Sequence, residues 1–223
     1  MFCVVMSFGK IENRDGHRKK AAQKAYERKV YYFFKRLLDL AISCTACILL
    51  LLPSLFIMLM IRVDSTGPAI YRQERLGKDG KPFLIYKFRS MRTDAEADGP
   101  RWAQQNDSRC TSLGAFLRKW RIDEWPQFIN ILKGDMSLVG PRPERACFYE
   151  ALSETIPTFP NRLCVKPGLT GYAQVFGGLT LKAQDKLRFD LEYISKSNFW
   201  LDLQCILKTF TLLCTLAGQH DAR

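Results

Sequence analysis

The chain has 223 residues, and its 34 lysine and arginine side chains exceed its 22 aspartate and glutamate side chains, which gives a formal charge of +12. A positive balance of this size suits a nucleic acid or an anionic membrane as partner. The sequence contains no zinc-finger spacing, helix-turn-helix signature or RNA-recognition aromatic motif, which excludes the common nucleic-acid-binding modules. We therefore expect an anionic phospholipid membrane, and no nucleic acid, as the partner of this charge.

The first predicted element is a basic tail that covers residues 1–30. Residues 1–29 carry eight basic side chains and three acidic ones. Beside a membrane segment, such a stretch is typical of the cytoplasmic side. The tail has no early apolar stretch behind a basic one and no small-residue cleavage site in position, so we expect no cleaved signal peptide.

An uncharged apolar run of 22 residues follows at residues 40–61 (LAISCTACILLLLPSLFIMLMI), within a membrane segment predicted for residues 31–63. A helix of that length covers about 33 Å, close to the hydrocarbon thickness of a bilayer. Pro53 lacks an amide hydrogen and its ring collides with the preceding turn, so we expect a bend at residues 49–52. Two arrangements fit this pattern: a kinked spanning helix, or a re-entrant segment whose two ends share one membrane face.

Eight cysteines raise the question of disulfides or a metal site. Cys44 and Cys47 form a C-x-x-C pattern, but this pattern lies inside the apolar run, and the only histidines are His17 and His220. Small apolar thiols that pack between helices explain the cysteines better than zinc ligands do. We therefore expect free thiols and a reducing compartment.

Residues 64–223 are predicted to form one α/β domain of the α+β type, mainly helical. Residues 69–73 and 82–89 are short, aromatic and β-branched, and the glycine-containing residues 77–81 between them indicate a β-hairpin. Helical spacing is found in four later segments: residues 112–119, 124–132, 181–195 and 199–217. The last segment is apolar nearly all round, so it is expected either to lie in a membrane interface as an amphipathic helix or to cover the core.

The pair Asp123-Glu124 has two interpretations. In the structural one, Asp123 caps the helix predicted for residues 124–132 and Glu124 occupies its first turn. In the functional one, the positive end of the helix keeps a carboxylate in its ionised, nucleophilic form and attracts a phosphate. Two adjacent carboxylates also suit Mg²⁺, which binds oxygen and commonly bridges to substrate phosphates.

Two segments, residues 137–145 (SLVGPRPER) and 166–174 (KPGLTGYAQ), contain too much glycine and proline for a regular element and are predicted as loops. In the first loop, the flanking prolines place Arg142 where its planar guanidinium can bind phosphate oxygens, although an arginine in such a turn is usually just solvated. In the second loop, Lys166 and Gln174 can donate hydrogen bonds to a substrate, and two glycines allow close backbone approach.

Five motifs occur in a fixed order along residues 31–209. They are KRLLDLAIS before the apolar run, then GPAIYRQERLGKDGKPFLIYKFRSMRTDAE, LRKWRIDEWPQFINILKGDMSLVGPRPE, VKPGLTGYAQV and FDLEYISKSNFWLDLQCILKT. In this order they resemble the bacterial sugar transferases, which are monotopic polyprenyl-phosphate phosphoglycosyl transferases. The resemblance covers most of the chain.

The resemblance implies an enzyme that moves a sugar 1-phosphate from a UDP-sugar to polyprenyl phosphate, usually undecaprenyl phosphate, and releases UMP. It implies that Asp123 is the nucleophile that forms an aspartyl phospho-sugar intermediate, and that Glu124 helps to hold Mg²⁺. Arg142 would bind phosphate, with Lys87 and Arg89 as further candidates. The expected location is the cytoplasmic face of the bacterial inner membrane, where the product starts a surface glycan. The sugar, the glycan and the oligomeric state, a dimer included, stay open.

The chain departs from the family pattern at the proline. In the family, the apolar run is a re-entrant helix that is broken at a Ser-Pro pair and returns to the cytoplasmic face. Here Leu52 precedes Pro53, and Ser54 follows it, which displaces the hydroxyl that would help to satisfy the freed carbonyl groups. Because the catalytic motifs and the basic tail both belong on the cytoplasmic side, we expect a re-entrant segment with its kink at Pro53 and Ser54.

Two other functions remain open. A hydrolase could use the same carboxylates on a nucleotide-sugar diphosphate without a lipid acceptor, but the apolar run argues against it. A non-enzymatic adaptor could bind anionic lipid through its basic surface, but it would leave Asp123, Glu124 and the two arginine- and glycine-containing loops unexplained.

Overall fold

The computed structural model of the protein describes residues 27–97, 99–102, 107–177 and 181–218. Most of the predicted basic tail, residues 1–30, lies outside these residues. The chain divides into two compact units, Met1–Leu38 and Asp39–Arg223. All the strands and site residues described below belong to the second unit.

Two helices, α1 (Glu27–Leu49) and α2 (Leu51–Asp64), contain the apolar run and meet at a bend of 59°. The bend lies at Leu50, so the predicted bend is confirmed. Pro53 is the third residue of α2, where a missing amide costs little because first-turn amides lack an intrahelical partner. The next amide, of Ser54, donates to the Leu50 carbonyl at 2.8 Å.

The two helices meet the length and apolarity requirement for crossing a bilayer only as this bent pair. Among the described helices, none meets it alone. Large apolar side chains are exposed along most of α2, including Leu52, Phe56 and Val63, and Leu52 is 76% exposed. α2 therefore presents an apolar surface that the described part of the chain does not cover.

The predicted β-hairpin is confirmed. β1 (Ile70–Leu76) and β2 (Pro82–Phe88) pair antiparallel around a turn at Lys78–Gly80. Side chains alternate between the two faces of a strand, so Lys87 lies on the same face of β2 as the buried Ile85. The hairpin thereby places a lysine on the side of β2 that packs against the core.

α3 (Ser112–Lys119) begins after Thr111, whose hydroxyl accepts a hydrogen bond from the Gly114 amide at 3.0 Å. The helix contacts the backbone of Ser90 at Gly114, where a Cβ would lie 1.9 Å from the Ser90 carbonyl oxygen. The Thr111 amide also donates to this oxygen, at 3.2 Å. The position of α3 therefore depends on a backbone approach that only glycine permits.

Gly114→Ala is expected to lower the free energy of unfolding by about 1–3 kcal/mol, because the added methyl group overlaps the Ser90 carbonyl. In an open helix the same change would stabilise by up to about 1 kcal/mol, so the sign is diagnostic. Chemical denaturation in detergent micelles measures it. Ser112→Ala, at an exposed position of the same helix, is the control, and a Gly114→Ala variant as stable as wild type would contradict this packing.

A parallel pair of strands joins the two segments that were predicted as loops. β3 (Ser137–Val139) pairs with β4 (Gly168–Thr170), and α6 (Tyr172–Phe176) follows directly. The prediction of loops at residues 137–145 and 166–174 is therefore wrong for these elements. Each three-residue strand pairs with a segment far along the chain, and local composition does not reveal this pairing.

Glycines allow the two segments to approach closely. A Cβ on Gly168 would lie 2.1 Å from the Gly140 amide nitrogen, and a Cβ on Gly171 would lie 2.1 Å from the Gly140 carbonyl oxygen. The predicted close backbone approach at Gly168 and Gly171 is confirmed, and the approaching backbone is the Arg142 loop of the same chain.

The remaining helices complete a mostly helical α+β domain. They are α4 (Gln127–Lys133), α5 (Ala146–Thr155), α7 (Ala183–Lys196) and α8 (Phe199–Gly218), with 3₁₀ turns at Ile122–Glu124 and Phe159–Cys164. The helices predicted for residues 112–119, 181–195 and 199–217 are confirmed to within two residues. α5 and the turn Phe159–Cys164 were not predicted.

The main core surrounds β3 and includes Ile131 of α4 and Cys205 of α8, both 0% exposed. β3 is also bonded to α1, because the buried Asp39 carboxylate accepts a hydrogen bond from the Leu138 amide at 2.9 Å. β3 leads into the loop that carries Arg142. This close-packed core therefore determines where Arg142 lies.

Six cysteines in the described part of the chain are free thiols: Cys44, Cys47, Cys110, Cys147, Cys164 and Cys214. Cys44 and Cys47, which form the C-x-x-C pattern, lie in α1. The prediction of free thiols is confirmed for these residues.

Candidate active site

The side chains of Asp123 and Glu124 lie in a buried 3₁₀ turn, and each residue is 7% exposed. Arg121, just before this turn, adopts a left-handed backbone conformation (φ 54°, ψ 22°) that is uncommon for a residue with a side chain. α4 begins only after Pro126 and has no side-chain cap. The structural interpretation, in which Asp123 caps this helix, is therefore wrong, because the left-handed Arg121 starts a separate turn before α4.

Glu124 is paired with two cations. Arg142 donates a hydrogen bond from Nη2 to Oε1 of Glu124, and Lys87 Nζ lies 3.3 Å from the same oxygen. Burial alone would raise the pKa of Glu124, but Arg142 and Lys87 together outweigh it and hold that pKa well below its usual range. Glu124 therefore stays ionised, and its charge is neutralised by the pairing.

Asp123 differs from its neighbour, since no described residue forms an ion pair with it. Burial, and then the negative charge of Glu124, raise the pKa of Asp123 from 3.8 to about 6, against the lowering effect of Lys87, Arg118 and Arg142. Its anion is thus less stabilised than that of an ordinary aspartate. Two adjacent carboxylates with pKa values on opposite sides of the ordinary range are suited to different roles.

Asn130 of α4 positions β2 beside the two carboxylates. Its side chain is 0% exposed, accepts a hydrogen bond from the Tyr86 amide at 3.0 Å and donates one to the Leu84 carbonyl at 2.7 Å. Tyr86 directly precedes Lys87, so these bonds fix the strand that carries the lysine. The sequence analysis missed Asn130, although an asparagine on an apolar helix indicates a buried hydrogen-bond partner.

Charged side chains that the sequence analysis missed hold the Arg142 loop. Glu144 accepts a hydrogen bond from Lys186 and lies 3.4 Å from Nη1 of Arg75, which also donates to the Pro143 carbonyl at 3.3 Å. These cations hold the pKa of Glu144 below its usual value in spite of burial. The sequence signal that could have identified Glu144 is its position as a second charged residue, close to Arg142 in the same proline-rich turn.

Arg89 contacts the end of α2 instead of the carboxylate pair. Its buried guanidinium donates to the carbonyl oxygens of Ile61, Ser65 and Thr66 at 3.2, 2.6 and 2.9 Å. Gly67 follows with φ 116°, and a Cβ there would lie 2.3 Å from Arg89 Nη1. Arg89 thus connects the hairpin to α2, and its predicted substrate-binding role stays a prediction.

Lys166 and Gln174 lie at the two ends of the segment that contacts the Arg142 loop. Gln174 donates from Nε2 to the Leu169 carbonyl at 3.2 Å, and its buried Oε1 has no hydrogen-bond partner among the described residues. The Lys166 carbonyl packs against Gly140, where a Cβ would lie 2.5 Å from it. The roles predicted for both side chains in substrate binding stay predictions.

The carboxylate pair fits a partial Mg²⁺ site. No group of three or more histidine, cysteine, aspartate and glutamate side chains lies together in the described ranges. Mg²⁺ is commonly bound by one or two carboxylates and completes its shell with water and substrate phosphates. Asp123, which has no ion-pair partner in the described part of the chain, and the second oxygen of Glu124 can provide such a pair of ligands.

Comparison with known proteins shows the family to which the sequence belongs. A model of the bacterial sugar transferases matches residues 30–215. This chain belongs to that family. The resemblance inferred from the five motifs is therefore confirmed.

Three curated relatives from this comparison are named for related processes. The UDP-N-acetylgalactosamine-undecaprenyl-phosphate N-acetylgalactosaminephosphotransferase of Aeromonas hydrophila is 41% identical over 85% of this chain and 45% of its own length. The UDP-glucose:undecaprenyl-phosphate glucose-1-phosphate transferase of Escherichia coli (strain K12) is 42% identical over 78% of this chain and 39% of its own length. The exopolysaccharide production protein PSS of Rhizobium leguminosarum bv. phaseoli is 38% identical over 78% of this chain and 92% of its own length. The chain thus spans less than half the length of the first two relatives.

Proposed function

We propose that this chain is a phosphoglycosyl transferase that moves a sugar 1-phosphate from a UDP-sugar to a polyprenyl phosphate, such as undecaprenyl phosphate, and releases UMP. The observation that supports this function best is Asp123, a buried carboxylate that forms no ion pair with any described residue and lies beside the neutralised Glu124. Two of the relatives are named as undecaprenyl-phosphate sugar phosphotransferases, one for N-acetylgalactosamine and one for glucose. The product would start the synthesis of a surface polysaccharide.

In the first half-reaction, an oxygen of Asp123 attacks the phosphorus that carries the sugar. The bond from that phosphorus to the bridging oxygen breaks, UMP leaves with the electron pair, and an aspartyl phospho-sugar remains. An anionic nucleophile must approach an anionic diphosphate, so charge neutralisation is required. Arg142 and Lys87 lie where they can supply it, because both already contact the neighbouring Glu124.

In the second half-reaction, a phosphate oxygen of the polyprenyl phosphate attacks the same phosphorus. The bond to Asp123 breaks and restores its carboxylate, and the product is a polyprenyl diphospho-sugar. A covalent intermediate lets a water-soluble donor and a lipid acceptor use one site in turn. Mg²⁺ held by Asp123 and Glu124 would neutralise charge on the donor diphosphate.

Transfer and hydrolysis are distinguished by the dependence of UMP release on lipid. Membrane-bound protein with Mg²⁺ and a panel of UDP-sugars is expected to release UMP over many turnovers only when polyprenyl phosphate is present. UMP release at the full multiple-turnover rate without lipid would indicate a hydrolase. No release with any UDP-sugar, together with binding to anionic vesicles, would indicate an adaptor.

We also propose that α1 and α2 form a re-entrant segment at the cytoplasmic face of the bacterial inner membrane. The 59° bend at Leu50 and the exposed apolar side chains of α2 support this arrangement. Arg36→Cys and Arg62→Cys, each in a background without native cysteines, test it in spheroplasts. A membrane-impermeant maleimide should label both positions only after permeabilisation, as it should Asp79→Cys in the hairpin turn. Labelling of one flank in intact spheroplasts would indicate a spanning helix.

The rate of transfer is expected to rise with pH as Asp123 loses its proton, because Asp123 must be ionised to attack. Lys87→Met removes a positive charge that lowers the pKa of Asp123, so the rising limb should move to higher pH as the maximal rate falls. Rate profiles between about pH 5 and 9 measure this shift. Lys133→Met, on the exposed side of α4, is the control. An unmoved limb in Lys87→Met would contradict the electrostatic link between these two groups.

A further inference from the structure

Arg162 is a buried arginine behind the loop that carries Arg142. It lies in the 3₁₀ turn Phe159–Cys164, and its side chain is 0% exposed. The guanidinium carbon lies 5.0 Å from the Phe159 ring centroid and 5.8 Å from that of Tyr149. The two rings enclose the cation and exclude water from it.

One nitrogen of this guanidinium contacts two partners. Nη2 of Arg162 donates a hydrogen bond to the Arg142 carbonyl oxygen at 2.9 Å, and it lies 2.7 Å from Oδ2 of Asp190, on α7. Nε and Nη1 have no hydrogen-bond partner in the described part of the chain. Arg162 therefore donates its hydrogen bond to the backbone carbonyl of Arg142, and the Asp190 carboxylate balances the positive charge of Arg162.

Stability alone does not account for this pair. Removing two charges from water is costly, and a buried ion pair whose remaining donors are unsatisfied seldom recovers the full cost. Replacing such a pair by apolar residues of similar volume often leaves a protein equally stable or more stable. A geometric role explains why the charges lie where they do.

The same helix contacts the loop at a second point. Lys186 and Asp190 lie one turn apart on α7, and Lys186 donates a hydrogen bond to Glu144, two residues beyond Arg142. α7 thus holds the loop directly at Glu144 and through Arg162 at Arg142. Both contacts lie at or beside the prolines that restrict the turn.

We propose that Arg162, balanced by Asp190, is a positioning residue for Arg142. By holding the Arg142 carbonyl it fixes the turn between the two prolines, and it thereby sets the Arg142 guanidinium against Glu124. This inference rests on the phosphate-binding role of Arg142 in the proposed function. Arg162 acts through Arg142 and is not itself a catalytic residue.

The paired variant Arg162→Met/Asp190→Leu separates positioning from stability. We expect its melting temperature to match or exceed that of wild type, because the buried charges are removed together. We expect its rate of sugar-phosphate transfer to fall roughly tenfold to hundredfold, because Arg142 is no longer held in place. Glu192→Leu/Lys196→Met removes an exposed ion pair from the same helix and should leave both quantities unchanged. A wild-type rate in the paired variant, or a rate loss matched by a lower melting temperature, would overturn the proposal.

If the paired variant does not fold, Arg162→Lys decides the question. Lysine keeps a cation for Asp190, but its shorter reach withdraws the donor from the Arg142 carbonyl. We expect a folded protein with a reduced rate and a raised KM for the UDP-sugar. Wild-type kinetics in Arg162→Lys would show that the carbonyl contact has no function.

A binding measurement keeps this inference separate from the proposed function. We expect UDP to raise the melting temperature of wild type, and to raise it much less in Arg142→Ala and in the paired variant. Adding Arg142→Ala to the paired variant should cause little further loss, because both changes act on the same contact. Independent, additive losses would overturn the positioning role. If the wild type does not release UMP, the proposed function fails. The UDP-induced shifts in melting temperature would still test the positioning role of Arg162.

Discussion

Asp123→Asn is expected to abolish sugar-phosphate transfer while making the folded protein more stable. The variant loses the nucleophile but keeps the volume of the side chain. Burial and Glu124 raise the pKa of Asp123 to about 6, so at neutral pH the folded state bears an ionised group that it disfavours. Asparagine has no charge to bury, and the expected gain is roughly 1–3 kcal/mol in the free energy of unfolding.

The pH dependence of this gain follows from the direction of the shift. The unfolded chain ionises Asp123 near 3.8 and the folded protein near 6, so the wild type loses stability relative to the variant as the pH rises between these values. Below about pH 4 the two proteins should be equally stable, and above about pH 6 the difference should be constant. Asp79→Asn, at an exposed turn position, is the control. An Asp123→Asn variant that is less stable than wild type at neutral pH would contradict the description of this carboxylate.

Arg142→Ala is expected to lower the rate of transfer roughly 10²- to 10³-fold, as the loss of an electrostatic group that contacts the reacting phosphate should. It also leaves Glu124 buried with Lys87 as its remaining partner. The pKa values of Glu124 and Asp123 should both rise, since Arg142 lowers each of them. Steady-state kinetics and the pH profile of the rate measure these effects together.

Arg142→Lys tests whether charge alone is sufficient. A lysine keeps the charge but lacks the planar fork that binds two oxygens, so we expect only partial recovery of the rate. Arg188→Ala, at an exposed position of α7, removes a guanidinium from the surface and is the control. Full activity in Arg142→Ala would show that Arg142 does not act in transfer. It would also contradict the positioning role of Arg162, which depends on Arg142.

The elements that the sequence predicted well are those with local causes. The bend at Leu50 follows from Pro53 three residues later, and the hairpin follows from a glycine-containing turn between two aromatic strands. α7 and α8 follow from their spacing of apolar residues. Each of these signals lies within the element itself. The structure places α7 and α8 within two residues of their predictions, and β1 ends three residues beyond its predicted end.

The elements that the sequence did not predict depend on distant partners. β3 and β4 are three residues long, and their pairing requires Gly140 and Gly168 to meet from different parts of the chain. One of the two interpretations of Asp123 gave it a cap position, because a polar residue precedes a helical pattern. The left-handed backbone of Arg121, which redirects the chain there, has no sequence signal of the kind that a glycine provides.

The candidate reactive residues were named from the sequence, and the residues that hold them in place were not. Asp123, Glu124 and Arg142 are found through motifs, and the structure brings them together with Lys87. Residues that hold these groups, such as Asn130, Arg162 and Asp190, were not predicted, because each makes its contacts with a segment remote in sequence. The family resemblance named Arg89 as a further phosphate-binding candidate. Its guanidinium contacts the end of α2, and its role at the substrate stays a prediction.

The covalent intermediate on Asp123 is tested most directly by trapping it. Wild-type protein incubated with Mg²⁺ and a UDP-sugar labelled in its sugar, without polyprenyl phosphate, is expected to acquire one label per active site, and peptide mass analysis should place it on Asp123. Adding polyprenyl phosphate should transfer the label to lipid, and Asp123→Asn should remain unlabelled. A wild-type protein that transfers sugar phosphate to lipid at full rate without ever carrying the label, or an Asp123→Asn variant that carries it, would contradict the mechanism.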